Sequence, residues 1–354
     1  MRDLLDVEWL AEHLHDEALV VVDASMAPPG SDEPLPVDGI PGAVRFDIEG
    51  AMSRHDDTDG RGAVGVHDVL AAGDFQRALR DLGIRGGDRV VAYDAAGMFS
   101  SARAWWMLRA AGIDAAVLDG GLPAWTAAGH PLAPVAASLG RTGDVTVDWD
   151  ASAFVDADDT AAALASGTSA VLDARSPARF TGAEPDPREG VRAGHIPGAR
   201  SLHYATVAPG GRMRPVDELA EVLERAAGER PIIASCGSGV TASVLALAAT
   251  LAGRSTTVYD GSWSDWGRAD SGRPSQPLGN VCVEGPGIAD MGAHCRVAHR
   301  KDCQADSKDQ KGRRNSHHAS NGKVAGCAAG DNSQRRRRGN DHENKGRDAQ
   351  SPAA

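Results

Sequence analysis

Lysine is missing from most of this sequence. None occurs before Lys301, so up to that point the permanent positive charges are all arginine. Aromatic residues are scarce, 4% of the chain, and none lies beyond Trp266. Cysteine is scarce too. There are five, and four of them (Cys282, Cys295, Cys303 and Cys327) fall after residue 278. No run of about 18 or more apolar residues occurs, which excludes a membrane-spanning helix. The first residues, MRDLLDVEWLAEHL, carry acids inside their only apolar stretch. A secretory signal needs a basic start and an uninterrupted apolar segment, so none is expected, and a cytoplasmic protein is. The net charge of -12 argues against a nucleic-acid-binding body. The 354 residues suffice for two domains of ordinary size.

These absences divide the chain into two polymers. From Leu278 to Ala354 there is no apolar period. Asn, Gly, Ser, Lys and Arg dominate, with a run Arg335-Arg336-Arg337-Arg338. Such a segment cannot bury enough apolar surface to offset the entropy of ordering, so a disordered basic tail is expected over 278–354. It carries 14 basic and 9 acidic residues, leaving a body with 23 basic and 40 acidic ones. Cys295 and Cys303 lie near His294 and His299, but the spacing does not make the paired Cys-x2-Cys arrangement of a zinc site, and no metal is expected.

The body is a duplication. VVVDAS at 20–25 matches AVLDARS at 170–176, and Ile40–Ala43 matches Ile196–Ala199, both IPGA. DRVVAYDAAG at 88–97 matches RPIIASCGSG at 230–239, and LDGGLPAW at 118–125 matches YDGSWSDW at 259–266. Short β-branched runs (LVVVD, VTV, AVLD, PIIAS, TTVYD) alternate with helical segments at 68–82, 101–111, 216–227 and 241–252. This alternation predicts an α/β fold in each copy: a mostly parallel sheet with helices on both faces. The copies are expected at 1–135 and 136–277, with Asp144–Trp149 in the linker. Ligands of such sheets sit where strands end and helices begin.

One such junction carries chemistry. An apolar strand ends at Cys236, Gly237-Ser238-Gly239 follow, and a helix begins near Thr241. Glycines let the chain turn back so that successive N–H groups point inward. Those groups and the positive end of the next helix favour an anionic, nucleophilic sulfur. They also suit a persulfide, whose outer sulfur is anionic. The alternative is that Cys236 is a small buried hydrophobe. The first copy has Asp94 at the matching place, so it has no nucleophile.

On these marks the body resembles the tandem rhodanese-domain sulfurtransferases, over roughly 1–277. The marks are the duplicated IPGA segment, complete as Gly194-His195-Ile196-Pro197-Gly198-Ala199, the DGGLPAW and DGSWSDW motifs, and the loop CGSGVTA. The loop resembles that of the 3-mercaptopyruvate sulfurtransferases. Thiosulfate-specific rhodaneses typically carry basic residues inside it, whereas here the interior is neutral. The resemblance implies two tandem rhodanese-like domains, the first non-catalytic. It implies sulfur transfer from 3-mercaptopyruvate through a Cys236 persulfide to a thiol such as thioredoxin, a low-molecular-weight thiol, or cyanide. No cofactor, nucleic acid or membrane partner is implied. Arg179 and Arg188 would bind the substrate's carboxylate and ketone, for which a planar fork is suited. Gly237, Gly239, Val240 and Thr241 would line the anion cradle, although Thr241 can equally cap the helix. Ser238, His67 and Glu49 would form a Ser–His–acid proton relay. The gap from Glu49 to His67 is longer than usual for the family. His195 is expected to fix a turn. Two further enzymatic readings stand beside this one. They are thiosulfate:cyanide transfer on the same fold, and a phosphatase, which would need Arg where Ala242 stands. A non-catalytic persulfide carrier is the reading from another class.

Overall fold

The structure is a computed structural model and describes residues 1–27, 30–31, 34–55 and 65–276. The expectations for 278–354 lie outside the described residues. In the first copy the strands are β1 (Leu4–Leu5), β2 (Leu19–Asp23), β3 (Asp38–Gly39), β4 (Val44–Arg45), β5 (Arg89–Tyr93), β6 (Ala115–Leu118) and β7 (Ala133–Pro134). In the second they are β8 (Phe154–Val155), β9 (Ala170–Asp173), β10 (Arg200–Ser201), β11 (Ile232–Ser235) and β12 (Thr256–Tyr259). The first sheet runs β1-β6-β5-β2-β4 and the second, read from its far edge, β8-β12-β11-β9-β10. All neighbours in both are parallel. The two orders are the same order of equivalent strands, as a duplication requires. Among the strands of the described residues, β3 and β7 alone pair antiparallel, in a separate ladder.

The central strands β2, β5, β6, β9 and β11 are buried almost throughout because both faces are covered. Alternate side chains point to opposite faces. In β2, Val20 and Val22 join one core cluster while Leu19 and Val21 join another. In β11, Ile232 and Ala234 separate from Ile233 in the same way. The cluster holding Val20, Val22, Ile232 and Ala234 is continuous across the two copies. Its centre is a pair of equivalent helices, Ser101–Ala110 and Ala242–Leu251, which pack on each other. Ala242 through Ala249 are all buried, so this helix is apolar all round rather than amphipathic. Burying each leucine of this kind contributes about 1.5–3 kcal/mol. The functional consequence is geometric. Each helix follows the equivalent strand-end loop of its copy, so packing the helices together brings the 94–100 and 236–241 loops towards each other.

Two segments differ from the sequence reading. The helix expected from Asp68 begins at Ala72. Residues 68–71 are drawn into a loop instead: the Asp68 carboxylate accepts from the Gly65 N–H (2.7 Å) and pairs with Arg54 (3.0 Å). Val145–Val147 forms no strand. Its backbone is held by the first copy: the Val145 N–H donates to the Ile84 carbonyl, and the Val147 N–H to Gln76 Oε1.

Candidate active site

The Cys236 loop is held from below by one residue that the sequence did not single out. Ser262 opens the last helix of the second copy and has φ 49°, the only positive φ among described non-glycine residues. Its hydroxyl donates to the Tyr259 carbonyl at 2.8 Å and accepts the N–H groups of Cys236 and Gly239, each at 3.1 Å. The Cys236 and Gly237 carbonyls accept from the Trp263 and Ser264 N–H groups. Cys236 is therefore buried and fixed at the floor of the loop. Gly239 needs its φ of +79°, and an added Cβ would lie 2.8 Å from the Asp260 carbonyl oxygen. Its N–H is engaged by Ser262, and Gly239 shapes the loop. Among the described residues, the N–H groups of Gly237, Ser238, Val240 and Thr241 form no hydrogen bond. The Thr241 side chain makes no capping bond.

These residues border a cavity of about 170 Å³. Arg179 and Arg188 stand on its second-copy wall. A Cβ on Gly237 would be 3.1 Å from Arg188 Nη1 and 3.3 Å from Arg179 Nη2, so both guanidiniums lie directly over the loop. Asp186 holds them there. One of its oxygens accepts from Arg179 Nη2 (2.6 Å), the other from the Arg188 backbone N–H (3.1 Å), and Arg188 Nη1 lies at 3.4 Å. Its carboxylate is buried, with 2% of the side chain exposed, and two cations offset the cost of removing it from water. The sequence places this acid between its two partners in Pro185-Asp186-Pro187-Arg188, a signal available in hindsight.

The first copy contributes the opposite wall with Met26, His67 and Phe99. His67 Nδ1 lies 2.8 Å from Ser238 Oγ, across the boundary between copies. Ser238 Oγ also accepts from Arg188 Nη2 at 3.1 Å. Burial lowers the His67 pKa to about 3, with the positive charges of Arg103 and Arg188 adding to the effect. The ring is therefore neutral near pH 7, so the Ser238 hydroxyl can donate to Nδ1. This differs from a Ser–His–acid relay, in which a carboxylate favours the imidazolium. Glu49 is exposed and forms no hydrogen bond or ion pair among the described residues. The chain carries its side chain to solvent while Ile48 on one side is buried. His67 is thus flanked by cations instead of an acid.

This arrangement makes stability depend on pH. The unfolded chain binds a proton on this ring near its ordinary value of 6.5, and the folded chain does not until about pH 3. The contribution is present above the unfolded value and is lost as pH falls below it, reaching about 2 kcal/mol at about pH 5. The fall in melting temperature from about pH 8 to about pH 5 should accordingly be smaller in His67→Gln than in the parent. Equal falls would contradict the burial argument.

His195, by contrast, is structural. Its Nδ1 lies 2.9 Å from the Phe180 carbonyl oxygen, and its ring stacks on Phe180 with centroids 3.9 Å apart.

The first copy shows what its own loop holds. Asp94, at the Cys236 position, is buried. Its carboxylate accepts the N–H groups of Ala96 (2.9 Å), Phe99 (2.9 Å), Ser100 (3.0 Å) and Ser101 (2.8 Å). The loop-to-helix junction of this fold is thus an anion site, filled in the first copy by a side chain of the chain itself.

Residues 6–128 and 156–269 match the family model described as rhodanese-like domain. The 3-mercaptopyruvate sulfurtransferase of Escherichia coli (strain K12) is 38% identical over 281 residues, covering 77% of this chain and 96% of the relative. The human 3-mercaptopyruvate sulfurtransferase is 34% identical over 284 residues, covering 75% and 92%. A mitochondrial thiosulfate/3-mercaptopyruvate sulfurtransferase of Arabidopsis thaliana is 32% identical over 314 residues, covering 78% of each. Among solved structures, the 3-mercaptopyruvate sulfotransferase SseA from Escherichia coli, described as having the rhodanese fold, is similar with a TM-score of 0.65 and 34% identity. It covers 74% of this chain and 99% of that one.

Proposed function

Because the chain belongs to the rhodanese-like domain family, we propose that it is a sulfurtransferase that takes sulfur from 3-mercaptopyruvate. The observation that carries this reading is the pair Arg179 and Arg188, anchored on one buried carboxylate and poised over the loop of a buried cysteine. A 2-oxo acid fits there. Its carboxylate and ketone meet two planar forks, and its thiol reaches the loop floor.

In the proposed reaction the Cys236 thiolate attacks the donor sulfur. An S–S bond forms and the donor's C–S bond breaks. The electron pair leaves with pyruvate as its enolate, which takes up the proton the donor thiol gives up. Ser238, hydrogen-bonded to neutral His67 and to Arg188, relays that proton. Neutral His67 serves as a transient acceptor and not as a resident acid. The persulfide left on Cys236 is anionic at its outer sulfur. By analogy with the Asp94 carboxylate, the N–H groups of Ser238, Val240, Thr241 and Ala242, equivalent to those of Ala96, Phe99, Ser100 and Ser101, are placed to hold it. A thiol, thioredoxin or a low-molecular-weight thiol among them, then removes the outer sulfur, with the enzyme working in the cytoplasm. The first domain, 1–135, supplies His67 and no nucleophile; the second, 136–277, is catalytic.

Donor kinetics test the assignment. kcat/KM for 3-mercaptopyruvate should exceed that for thiosulfate by about tenfold or more, because thiosulfate has no carboxylate to reach both arginines. A preference for thiosulfate would replace this reading with the thiosulfate:cyanide one. A persulfide that forms but never turns over would indicate a carrier.

A further inference from the structure

Arg103 lies within the first copy's central helix and is fully buried, an unusual place for a charge. Its Nη2 donates to Asp260 Oδ1 of the second copy at 2.6 Å and to the His67 carbonyl at 2.7 Å. Its Nε and Nη1 have no hydrogen-bond partner among the described residues. Its guanidinium lies over the Phe154 ring, 5.1 Å from the centroid. As a stabilising device this is poor, since a buried ion pair with unmet donors is often matched or bettered by apolar side chains.

Its connections are to the reaction centre. The other Asp260 oxygen accepts the Val69 N–H at 2.9 Å. The carbonyl of His67 and the N–H two residues later are therefore both tied to one Arg103–Asp260 pair. Asp260 also stands two residues before Ser262, whose hydroxyl holds the Cys236 and Gly239 N–H groups. The Asp260 carbonyl and Arg103 Nη1 both close on Gly239, at 2.8 and 3.1 Å from where a Cβ would be.

We infer that Arg103 and Asp260 are positioning residues: a clamp across the two copies that sets the His67 ring against Ser238 and holds the Cys236 loop in register with it. This rests on the proposed relay through His67 and Ser238. Arg103 also acts through charge, as the second cause, after burial, of the low His67 pKa. The other charged or titratable groups around that ring are Arg188 from the second copy and His55 from the first. The nearby acids are engaged elsewhere: Asp68 pairs with Arg54, and Asp260 with Arg103 and the Val69 N–H.

The decisive variant is Arg103→Met with Asp260→Asn. It removes both charges, so no buried charge is stranded, and Asn can still accept the Val69 N–H. Three readouts are needed: melting, the rate of Cys236 persulfide formation in a single turnover with 3-mercaptopyruvate, and the His67 titration by NMR, its resonance identified by its loss in His67→Gln. The double variant should melt cooperatively, form persulfide about tenfold or more slowly, and titrate His67 at higher pH than the parent. A rate within about twofold of the parent overturns the inference. So does a slowed rate with an unchanged His67 titration, which would mark a merely structural pair. If the double variant fails to fold, Arg103→Lys decides. It keeps the charge but not the fork, and should slow the step while His67 stays neutral; a parent-like rate overturns the clamp. Undiminished persulfide formation in His67→Gln would sink the relay itself while leaving the titration readout intact, so the two failures are distinguishable.

Discussion

Replacing Cys236 with serine is expected to end sulfur transfer, lowering kcat/KM by about 10³-fold or more. A serine hydroxyl is almost wholly un-ionised near neutral pH. Its oxygen also forms no stable counterpart of the persulfide, so the loop would hold nothing for an acceptor to take. Mass spectrometry after incubation with 3-mercaptopyruvate should show the parent heavier by one sulfur atom and Cys236→Ser unchanged. The melting temperature should change little, because the loop's anchors are backbone groups and Ser262, which the substitution leaves alone. Retained turnover, or sulfur uptake by the variant, would mean that the nucleophile is elsewhere. Among the described residues Cys236 is the one free cysteine.

Removing the arginine pair should have the next largest effect. Arg188→Met is expected to lower kcat/KM for 3-mercaptopyruvate by about 10–100-fold, the worth of a charge-assisted hydrogen bond. Most of the loss should fall on KM if the group binds the carboxylate equally in ground and transition states. A further part should appear in kcat, because Arg188 also donates to Ser238. Arg179→Met should act on KM with less effect on kcat, since no bond joins it to Ser238 among the described residues. The double replacement would strand Asp186, whose side chain is 2% exposed, so it should be made together with Asp186→Asn. In that background the losses should approach additivity. An unchanged KM in Arg188→Met would remove the carboxylate-binding role. A large drop in melting temperature in the single variants would instead assign the pair to the fold.

Much of the fold was legible because it depends on local pattern. Strand runs of β-branched residues, helix 216–227 and the repeated IPGA and DG motifs are signals carried within a few residues, and the helix forms over Val216–Ala227. The misreadings have a common cause. Val145–Val147 has the composition of a strand, but the first copy's backbone and Gln76 take its hydrogen bonds, so no sheet edge receives it. Asp68–Ala71 has a helical pattern, but Asp68 is recruited by Arg54 and Gly65. Glu49 matched a motif and faces solvent. Hydrogen-bond partners outside the segment decided the first two cases, whereas Glu49 has no such partner among the described residues.

For this protein the sequence by itself determined the duplication, the parallel α/β architecture and the strand-to-helix loop that presents Cys236. Those follow from periodicity, glycine placement and spacing, which act over short stretches of chain. Only the tertiary structure decided which groups meet. It joined His67 to Ser238 across the copies, gave both arginines one buried carboxylate, and assigned Gly239 to Ser262. It also buried Arg103 beside His67, with Nη2 donating to the His67 carbonyl. Packing the two equivalent helices against each other brings the two loop systems towards each other, and burial then sets the electrostatics, since a buried histidine beside two guanidiniums stays neutral. Neither the contact nor the desolvation is written in any one segment of the chain.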